Sequence, residues 1–278
     1  MSKIQSAIDK ARRAKDVAEA QPRSKGDHRL VSNGVRRGSV KSSLKNRFDT
    51  LFLKDSDLKK SRVINANTPP IVAASYKMLR TRLLHRMRTN DWRLMAITSA
   101  SPQDGKTLTA INLAVSLADE GNQNVFLIDL DMRNPSVNKY LAVNHERSIV
   151  DYFSDSDSRI EDFIYCPPDT NLFIIGNSEA GIQNSSELIF SARMEELLSE
   201  LKEIDRTALF IFDLPPILLA DDMLAFAPYA DSVLFVVGEE HTSREQLAKA
   251  NEMIKSTDLQ MAGVVLNRSV EASRTAYY

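Results

Sequence analysis

The sequence predicts an α/β fold built on a doubly wound, mostly parallel sheet. From about residue 67 onward, short β-rich runs alternate with helical patterns, and such alternation is typical of parallel strands connected by helices. The runs are almost continuously apolar, as strands covered on both faces must be. A loop that ends in Gly-Lys-Thr lies between one of these strands and the next helix.

The first predicted element is a helix that begins near Asn67-Thr68-Pro69-Pro70, because this stretch has helix-start chemistry. Leu79, Leu83 and Met87 follow it at a spacing of four residues. Strands are then predicted at 94–98, 124–130, 172–175, 208–212, 232–237 and 261–266, and helices at 107–120, 186–204, 222–227 and 244–256. Gly121 is suited to ending the first of these four helices.

The N-terminal region has a different composition from the rest of the chain. Residues 1–62 carry 17 lysines and arginines against 7 acidic residues, although the whole chain has a net charge of −1. Apolar residues at helical spacing predict a short helix near residues 3–20, and the polar stretch from residue 21 to residue 62 has the character of a linker. We therefore expect a flexible basic arm at 1–66, which can contact anionic lipid or remain solvated, before a domain at 67–278.

Composition excludes several classes of protein. Cys166 is the only cysteine among 278 residues, so no disulfide can form within the chain and the cytoplasm is the expected compartment. The longest apolar run, residues 208–220, is interrupted by Asp213 and two prolines and is shorter than the roughly 20 residues that a membrane helix needs. We expect neither a membrane span nor a signal peptide.

The loop Ala100-Ser-Pro-Gln-Asp-Gly-Lys-Thr107 fits the phosphate-binding Walker A pattern, except that Ala100 replaces its first glycine. Gly105 allows backbone amides to close around phosphate oxygens, Lys106 can bridge two phosphates, and the Thr107 hydroxyl can ligate Mg²⁺. We therefore predict a site for ATP and Mg²⁺. The predicted nucleotide contacts in this segment are Pro102, Asp104, Gly105, Lys106, Thr107 and Leu108.

Two further strands end in carboxylates. The run ending at Asp129-Leu-Asp131-Met-Arg133-Asn-Pro135 carries two aspartates that project to the same side while the chain is extended. Asp213 follows another apolar strand, as a Walker B aspartate does. Because ligands bind at the carboxyl edge of open α/β sheets, we expect these carboxylates to hold Mg²⁺ or to accept a proton from an attacking hydroxyl. Together with Thr107, Asp129 and Asp213 are the predicted metal ligands.

These three motifs together resemble the bacterial tyrosine kinases (BY-kinases) of capsule and exopolysaccharide systems. The family's Walker A, its extra Walker A′ of the form apolar-Asp-x-Asp-x-Arg-x-Pro and its Walker B correspond to residues 100–107, 129–135 and 213–216. The likeness covers about residues 67–278 and is greatest to the cytosolic CpsD/CapB or exosortase-associated kinase subunits. It implies a P-loop fold of the MinD/ParA-like (deviant Walker) type.

The resemblance implies an ATP-dependent tyrosine autokinase that regulates polysaccharide polymerisation or export. It implies that Lys106, Asp129, Asp131 and Arg133 are catalytic, with the two aspartates positioning the metal and activating a tyrosine and with Arg133 orienting a phosphate or a carboxylate. Asn267, after the last strand, falls where related ATPases contact the adenine ring. The terminal Tyr277 and Tyr278 are candidate phosphoacceptors, because a chain end can reach a neighbour's active site.

The resemblance also implies partners. These are a membrane adaptor of the polysaccharide chain-length regulator type, which would recruit the chain to the inner face of the plasma membrane, and further copies of the chain in a homo-oligomer; no nucleic acid is expected. The family's subunit-contact motif, Glu-x-x-Arg-x-x-Arg, falls on Ala74, Lys77 and Arg80. Only Arg80 matches it.

Two other functions stay open at this point. One is an ATPase switch like the MinD/ParA partitioning proteins, although those carry a signature lysine at the position of Ser101 and lack the Asp-x-Asp-x-Arg-x-Pro element. The other is a nucleotide-sensing scaffold of an export complex that transfers no phosphate. The altered subunit-contact helix and the short tyrosine tail keep this scaffold open as an alternative.

Overall fold

The computed structural model describes residues 44–121, 123–145, 147–178 and 180–269. The helix predicted near residues 3–20, most of the basic arm, Tyr277 and Tyr278 lie outside these residues. Within the described ranges, no helix is both long enough and apolar enough to cross a membrane.

Strands and helices alternate along the described chain. The strands are β1 (Asp49–Thr50), β2 (Leu94–Ser99), β3 (Val125–Asp129), β4 (Tyr165–Cys166), β5 (Leu172–Ile175), β6 (Leu209–Asp213), β7 (Ser232–Gly238) and β8 (Gln260–Asn267). The helices are α1 (Asp55–Lys60), α2 (Pro70–Asn90), α3 (Lys106–Ala118), α4 (Val137–Leu141), α5 (Ile149–Ser154), α6 (Ser185–Ile189), α7 (Ala192–Ile204), α8 (Asp222–Phe226) and α9 (Arg244–Lys255), with a short 3₁₀ helix at Ile160–Phe163.

The described strands form one sheet in the order β1-β4-β5-β3-β6-β2-β7-β8. Their pairings are parallel apart from the antiparallel pair β4–β5. This topology confirms the predicted doubly wound, mostly parallel sheet. The register pairs Asp129 with Asp213, so the ends of β3 and β6 bring two predicted site residues side by side.

The core occupies both faces of the sheet, as the unbroken apolar strands predicted. In β3, Phe126 and Ile128 belong to one buried cluster, whereas Val125 and Leu127 belong to the other. Successive side chains of a strand point to opposite faces, so helices must cover both. On one face the Phe126 ring stacks on Phe173, with the ring centroids 4.9 Å apart.

The folded region begins earlier than the predicted domain. Phe48, Leu58 and Val63 are buried in the core, and β1 pairs with β4. Residues 44–62 therefore pack as part of the α/β body, although the sequence pattern assigned them to the linker. Pairing between strands more than 100 residues apart cannot be read from local periodicity.

The helix predicted at 186–204 is two helices. α6 ends at Ile189, and α7 begins at Ala192 after Ser191, whose backbone is extended with φ −92° and ψ 160°. The Ser191 side chain makes no cap hydrogen bond to α7, and its hydroxyl instead donates to the Leu188 backbone oxygen at 2.6 Å. The extended backbone of Ser191 therefore separates the two helices. Helix α2 begins at Pro70 after Pro69, as predicted. Gly121 has a φ of +72° just after α3.

Candidate active site

The phosphate-binding loop is shaped around a single glycine. Gly105 has a φ of +92°, and a Cβ atom at this position would lie 2.0 Å from Asn267 Nδ2. The same Asn267 Nδ2 donates a hydrogen bond to the backbone oxygen of Asp104 at 2.8 Å. Only glycine permits both this backbone angle and this close approach. In the structure, therefore, the side chain of Asn267 supports the loop.

Asp104 anchors the loop from its other side. Its fully buried carboxylate accepts hydrogen bonds from the Ser101 backbone N–H at 2.9 Å and the Thr242 hydroxyl at 2.8 Å, and it lies 2.7 Å from His241 Nδ1. The side chain thus faces the connection between β7 and α9. The sequence predicted a nucleotide contact at Asp104. Local spacing cannot show that Asp104 pairs with His241, because the two residues are 137 positions apart.

Lys106 lies among carboxylates at the start of α3. Its Nζ is 2.7 Å from Asp131 Oδ2 and 3.5 Å from Asp213 Oδ1. The adjacent Thr107 hydroxyl donates a hydrogen bond to Asp213 Oδ2 at 2.6 Å. The structure therefore brings together the lysine, the hydroxyl and the two strand-end carboxylates predicted from three separate motifs.

Asp129 and Asp131 have different surroundings, although the sequence placed them as a pair. Asp129 Oδ2 accepts hydrogen bonds from the backbone N–H groups of Ser136 and Val137, both at 3.0 Å. Asp131 instead directs Oδ2 to Lys106 and accepts the Asn134 backbone N–H on Oδ1 at 3.0 Å. Asp129 is thus held at the first turn of α4, and Asp131 faces the lysine.

The cluster has more negative than positive charge. Burial raises the pKa of Asp129 to about 8, and the neighbouring Asp213 carboxylate contributes to the rise. Burial also raises the pKa of Asp213 to about 6, although Lys106 and the Thr107 hydroxyl favour its ionised form. For Lys106, burial alone would lower the pKa, but Asp213 and Asp131 outweigh it and hold the ammonium protonated. One fixed cation therefore faces three carboxylates.

Arg133 connects three parts of the chain. Its Nε donates to Ser185 Oγ at 3.1 Å and lies 3.3 Å from Asp222 Oδ2, and its Nη2 donates to the Gln183 backbone oxygen at 3.1 Å. The sequence analysis did not predict Gln183, Ser185 or Asp222 as site residues. They are 50 to 89 positions from Arg133, so only the fold reveals them.

A cavity of about 590 Å³ opens between the loop and the ends of β3 and β6. This size suits a small-molecule ligand. The predicted residues that line it are Pro102, Gly105, Lys106, Thr107, Asp131 and Arg133, and the lining also includes Lys139, Tyr140, Pro215, Pro216 and Leu219. The lining excludes Asp104, Leu108, Asp129, Asp213 and Asn267.

A family model described as an AAA domain matches residues 93–268, which contain the loop and all three strand-end carboxylates. The chain belongs to this AAA domain family. The matched range covers most of the described α/β body and does not include residues 44–92.

Curated relatives of this AAA domain chain are named as bacterial tyrosine kinases, which confirms the resemblance predicted from the sequence. The tyrosine-protein kinase YwqD of Bacillus subtilis is 28% identical over 226 residues, covering 81% of this chain and 93% of YwqD. The putative tyrosine-protein kinase EpsB of Ralstonia solanacearum is 28% identical over 191 residues, covering 69% of this chain. The chain spans only 25% of EpsB.

Solved structures of other proteins share the fold of this AAA domain. The VpsO kinase domain has a TM-score of 0.62 and 28% identity, covering 71% of this chain and 95% of that one. The chimerical protein CapA2B2 has a TM-score of 0.66 and 25% identity, covering 83% and 97%. The cell division ATPase MinD of Pyrococcus furiosus, with a TM-score of 0.51 and 23% identity over 66% of this chain and 74% of that one, shows a likeness of fold alone.

Proposed function

We propose that this chain is an ATP-dependent protein-tyrosine kinase that phosphorylates tyrosines of other copies of itself. The observation that carries the proposal is Lys106 Nζ, held 2.7 Å from Asp131 at the wall of a 590 Å³ cavity. A P-loop lysine beside a cavity-facing carboxylate supplies both a cation for a phosphate and a base for a hydroxyl. The kinase names of the relatives and structures support the choice of tyrosine as acceptor.

The donor set fits Mg-ATP. Lys106 would bind a nucleotide phosphate, Thr107 and Asp213 would hold Mg²⁺, and the amides around Gly105 would bind phosphate oxygens. Among the described residues, no group of three His, Cys, Asp or Glu side chains could hold a metal ion. This agrees with Mg²⁺, which protein sites bind through one or two groups together with phosphates and water. When bound, ATP would supply the phosphoryl group, and Mg²⁺ would neutralise part of the negative charge on the phosphates.

The remaining catalytic and positioning roles would belong to Asp131, Asp129 and Lys106. Asp131 faces the cavity, so it is the better placed of the two Walker A′ aspartates to accept the proton of a tyrosine hydroxyl. Asp129 is fully buried and bound by backbone amides, so it would fix the turn that presents Asp131. Lys106 would leave Asp131 for phosphate, which would free the carboxylate to act as a base.

The setting of the reaction follows from the same resemblance. We propose that the kinase regulates capsule or exopolysaccharide polymerisation or export and that Tyr277 and Tyr278 are its phosphoacceptors. A membrane adaptor of the chain-length regulator type would recruit it to the inner face of the plasma membrane, and copies would assemble for phosphorylation in trans. The basic arm could add a contact with anionic lipid. The two remaining predicted residues, Asn267 and Leu108, would contribute either by supporting the phosphate-binding loop or by contacting the nucleotide.

The proposal is tested by incubating the purified full-length chain with Mg-ATP and mapping phosphotyrosine by mass spectrometry. We expect phosphate on Tyr277 or Tyr278 in the wild type and none in Lys106→Met. Lys202→Met, which changes an exposed lysine, is the matched control and should retain modification. A variant with both terminal tyrosines changed to phenylalanine identifies the acceptors.

The outcomes separate the competing functions. Wild-type protein that binds ATP and stays unmodified, even with a candidate adaptor fragment present, would contradict the kinase and support the switch or the scaffold. ATP-dependent dimerisation without phosphotyrosine would favour the switch. Modification that persists in Lys106→Met would place the catalytic site elsewhere.

A further inference from the structure

We propose that Asp222 and Ser185 are positioning residues for Arg133, which they hold so that the outer edge of its guanidinium faces the terminal phosphate of a nucleotide. The proposal rests on the proposed function in one respect only, that the cavity binds ATP. It concerns two residues that the three nucleotide-binding motifs do not include. Neither residue lines the cavity, so both would act through Arg133.

Three groups hold the guanidinium of Arg133 on one side. Nε donates to Ser185 Oγ at 3.1 Å and lies 3.3 Å from Asp222 Oδ2, and Nη2 donates to the Gln183 oxygen at 3.1 Å. Nη1 has no hydrogen-bond partner among the residues that the structure describes. The two N–H groups of Nη1 therefore remain for a ligand, and Arg133 lines the cavity.

The backbone fixes the same arrangement. The Gly181 N–H donates to the Arg133 oxygen at 3.0 Å, and the Ile182 N–H donates to the Met132 oxygen at 3.2 Å. The segment 181–185 thus runs beside the Walker A′ turn as a short ladder, and it leads directly into α6. Because α6 packs against α8, Ser185 and Asp222 reach Arg133 from two elements that support each other.

The burial of Asp222 explains why Arg133 is held so firmly. Asp222 and Ser185 are fully buried, whereas the Arg133 side chain is one-third exposed. Asp222 Oδ1 is buried without a hydrogen-bond partner in the described part of the chain. A buried carboxylate depends on its charged partner, since losing that partner leaves an uncompensated charge. Arg133 is the cation paired with Asp222, so the ion pair restricts the arginine to one orientation.

This arrangement predicts a contact that distinguishes two nucleotides. Guanidinium groups bind phosphate through paired N–H donors in a planar fork, so their orientation matters more than it does for lysine. Arg133 follows the strand that delivers Asp131, and Asp131 already contacts the P-loop lysine. Because Arg133 and Lys106 line the same cavity, the guanidinium is suited to the last phosphate of ATP, which ADP lacks.

The test measures binding rather than catalysis. Binding of ADP and of the β,γ-imido analogue of ATP is measured by isothermal titration calorimetry in the presence of Mg²⁺. We expect Asp222→Asn to weaken binding of the analogue about tenfold, the size of one charge-assisted hydrogen bond, and to change ADP binding less than about twofold. Ser185→Ala should act in the same direction by about threefold. Exposed Asp221→Asn and half-buried Ser186→Ala are the neighbouring controls.

A double-mutant cycle separates positioning from folding. If Asp222 acts through Arg133, Asp222→Asn should have no further effect on analogue binding in an Arg133→Ala background. Equal loss of ADP and analogue binding, or additive losses in the double variant, would overturn the proposal. Wild-type protein that binds neither nucleotide would also overturn it. Wild-type protein that binds the analogue but forms no phosphotyrosine disproves the kinase and leaves this proposal standing.

Discussion

One buried carboxylate lies on one side of the phosphate-binding loop and a group of three lies on the other. The number of hydrogen-bond donors and cations around them differs. On one side, Asp104 is matched by donors from Ser101, Thr242 and His241 at 2.7 to 2.9 Å. On the other side, three aspartates at the ends of β3 and β6 face a single cation, Lys106. Both groups are almost completely buried.

The difference distinguishes a buried carboxylate that has a structural role from one that binds a ligand or takes part in a reaction. The protein supplies the partners of Asp104, so this side chain is complete without a ligand. At the strand ends the carboxylates repel one another, which is why burial and like charge raise the pKa values of Asp129 and Asp213. A buried charge without full compensation is costly. The second group therefore gains from a bound cation, whereas the first does not.

Replacing one carboxylate of each group should have opposite effects on stability, and this is the largest difference that we expect. Asp213→Asn removes a charge that burial disfavours, so the ligand-free protein should keep or gain thermal stability while phosphoryl transfer falls about 10²- to 10³-fold. Asp104→Asn breaks a complete network and should lower the free energy of unfolding by about 1–3 kcal/mol. Thermal unfolding and a phosphotyrosine assay measure the two effects.

The distinction between Asp104 and the strand-end carboxylates is wrong if the two variants behave alike. Loss of stability in Asp213→Asn equal to that in Asp104→Asn would show that both carboxylates are structural. Full phosphoryl transfer by Asp213→Asn would remove it from the metal site.

Alanine substitutions at two glycines show whether the phosphate-binding loop needs Gly105 for its backbone conformation or for the space that a side chain would fill. Gly105 and Gly181 both have positive φ, but a Cβ at Gly105 would strike Asn267 whereas one at Gly181 meets nothing within 4 Å. Gly181→Ala should cost about 1–2 kcal/mol, the price of a left-handed residue. Gly105→Ala should cost more and abolish nucleotide binding, as judged by chemical denaturation and calorimetry.

A second substitution sharpens this prediction. Because the clash is with the Asn267 side chain, Gly105→Ala combined with Asn267→Ala should recover part of the lost stability. Equal stability of the Gly105→Ala and Gly181→Ala variants would rule out the steric explanation.

The parts of the fold that the sequence predicted are those with a local signal. The six long strands, the helix beginning at Pro70 and the Walker loop each have an apolar period, a proline or a glycine within a few residues. The two-residue strands β1 and β4 are too short for a period, and their pairing joins Asp49 to Tyr165. Short helices such as α4 and α5, of five and six residues, also carry too few apolar positions to indicate helix.

The candidate site divides in the same way. Lys106 and Thr107 were predicted from the Walker A pattern, and Asp131 and Asp213 because the carboxyl ends of parallel strands meet at one edge of a sheet. The partners of Asp104 and Arg133 were not predicted, since His241 and Asp222 are brought close only by the packing of elements distant in sequence. Residue type and spacing indicated which side chains could bind a phosphate. They did not indicate which side chains position Asp104 and Arg133.

The strand-end carboxylates should make stability depend on pH. An unfolded Asp has a pKa of about 3.9, whereas the folded values are about 8 for Asp129 and about 6 for Asp213. Between these limits the folded state binds more protons, so the stability from these groups is present at low pH and is lost as the pH rises through the folded values. Urea denaturation from pH 5 to pH 8 should show the fall.

Variants and ligand identify the source of this pH dependence. Asp129→Asn should flatten the fall, and exposed Asp91→Asn should not. Saturating Mg-ADP should stabilise the protein more at pH 8 than at pH 5, because the bound cation compensates the ionised carboxylates. A pH dependence that is unchanged in Asp129→Asn would mean that other groups cause it.

The smallest expected effect concerns His241, one of three donors to Asp104. His241→Ala leaves the Ser101 and Thr242 hydrogen bonds in place, so stability should fall by only about 1 kcal/mol and nucleotide affinity by about threefold. His85→Ala, at an exposed position, should change neither, as measured by thermal unfolding and calorimetry. Affinity that falls in His241→Ala without any change in stability would instead indicate a direct ligand contact, and Asp104 would then belong with the carboxylates that act in chemistry.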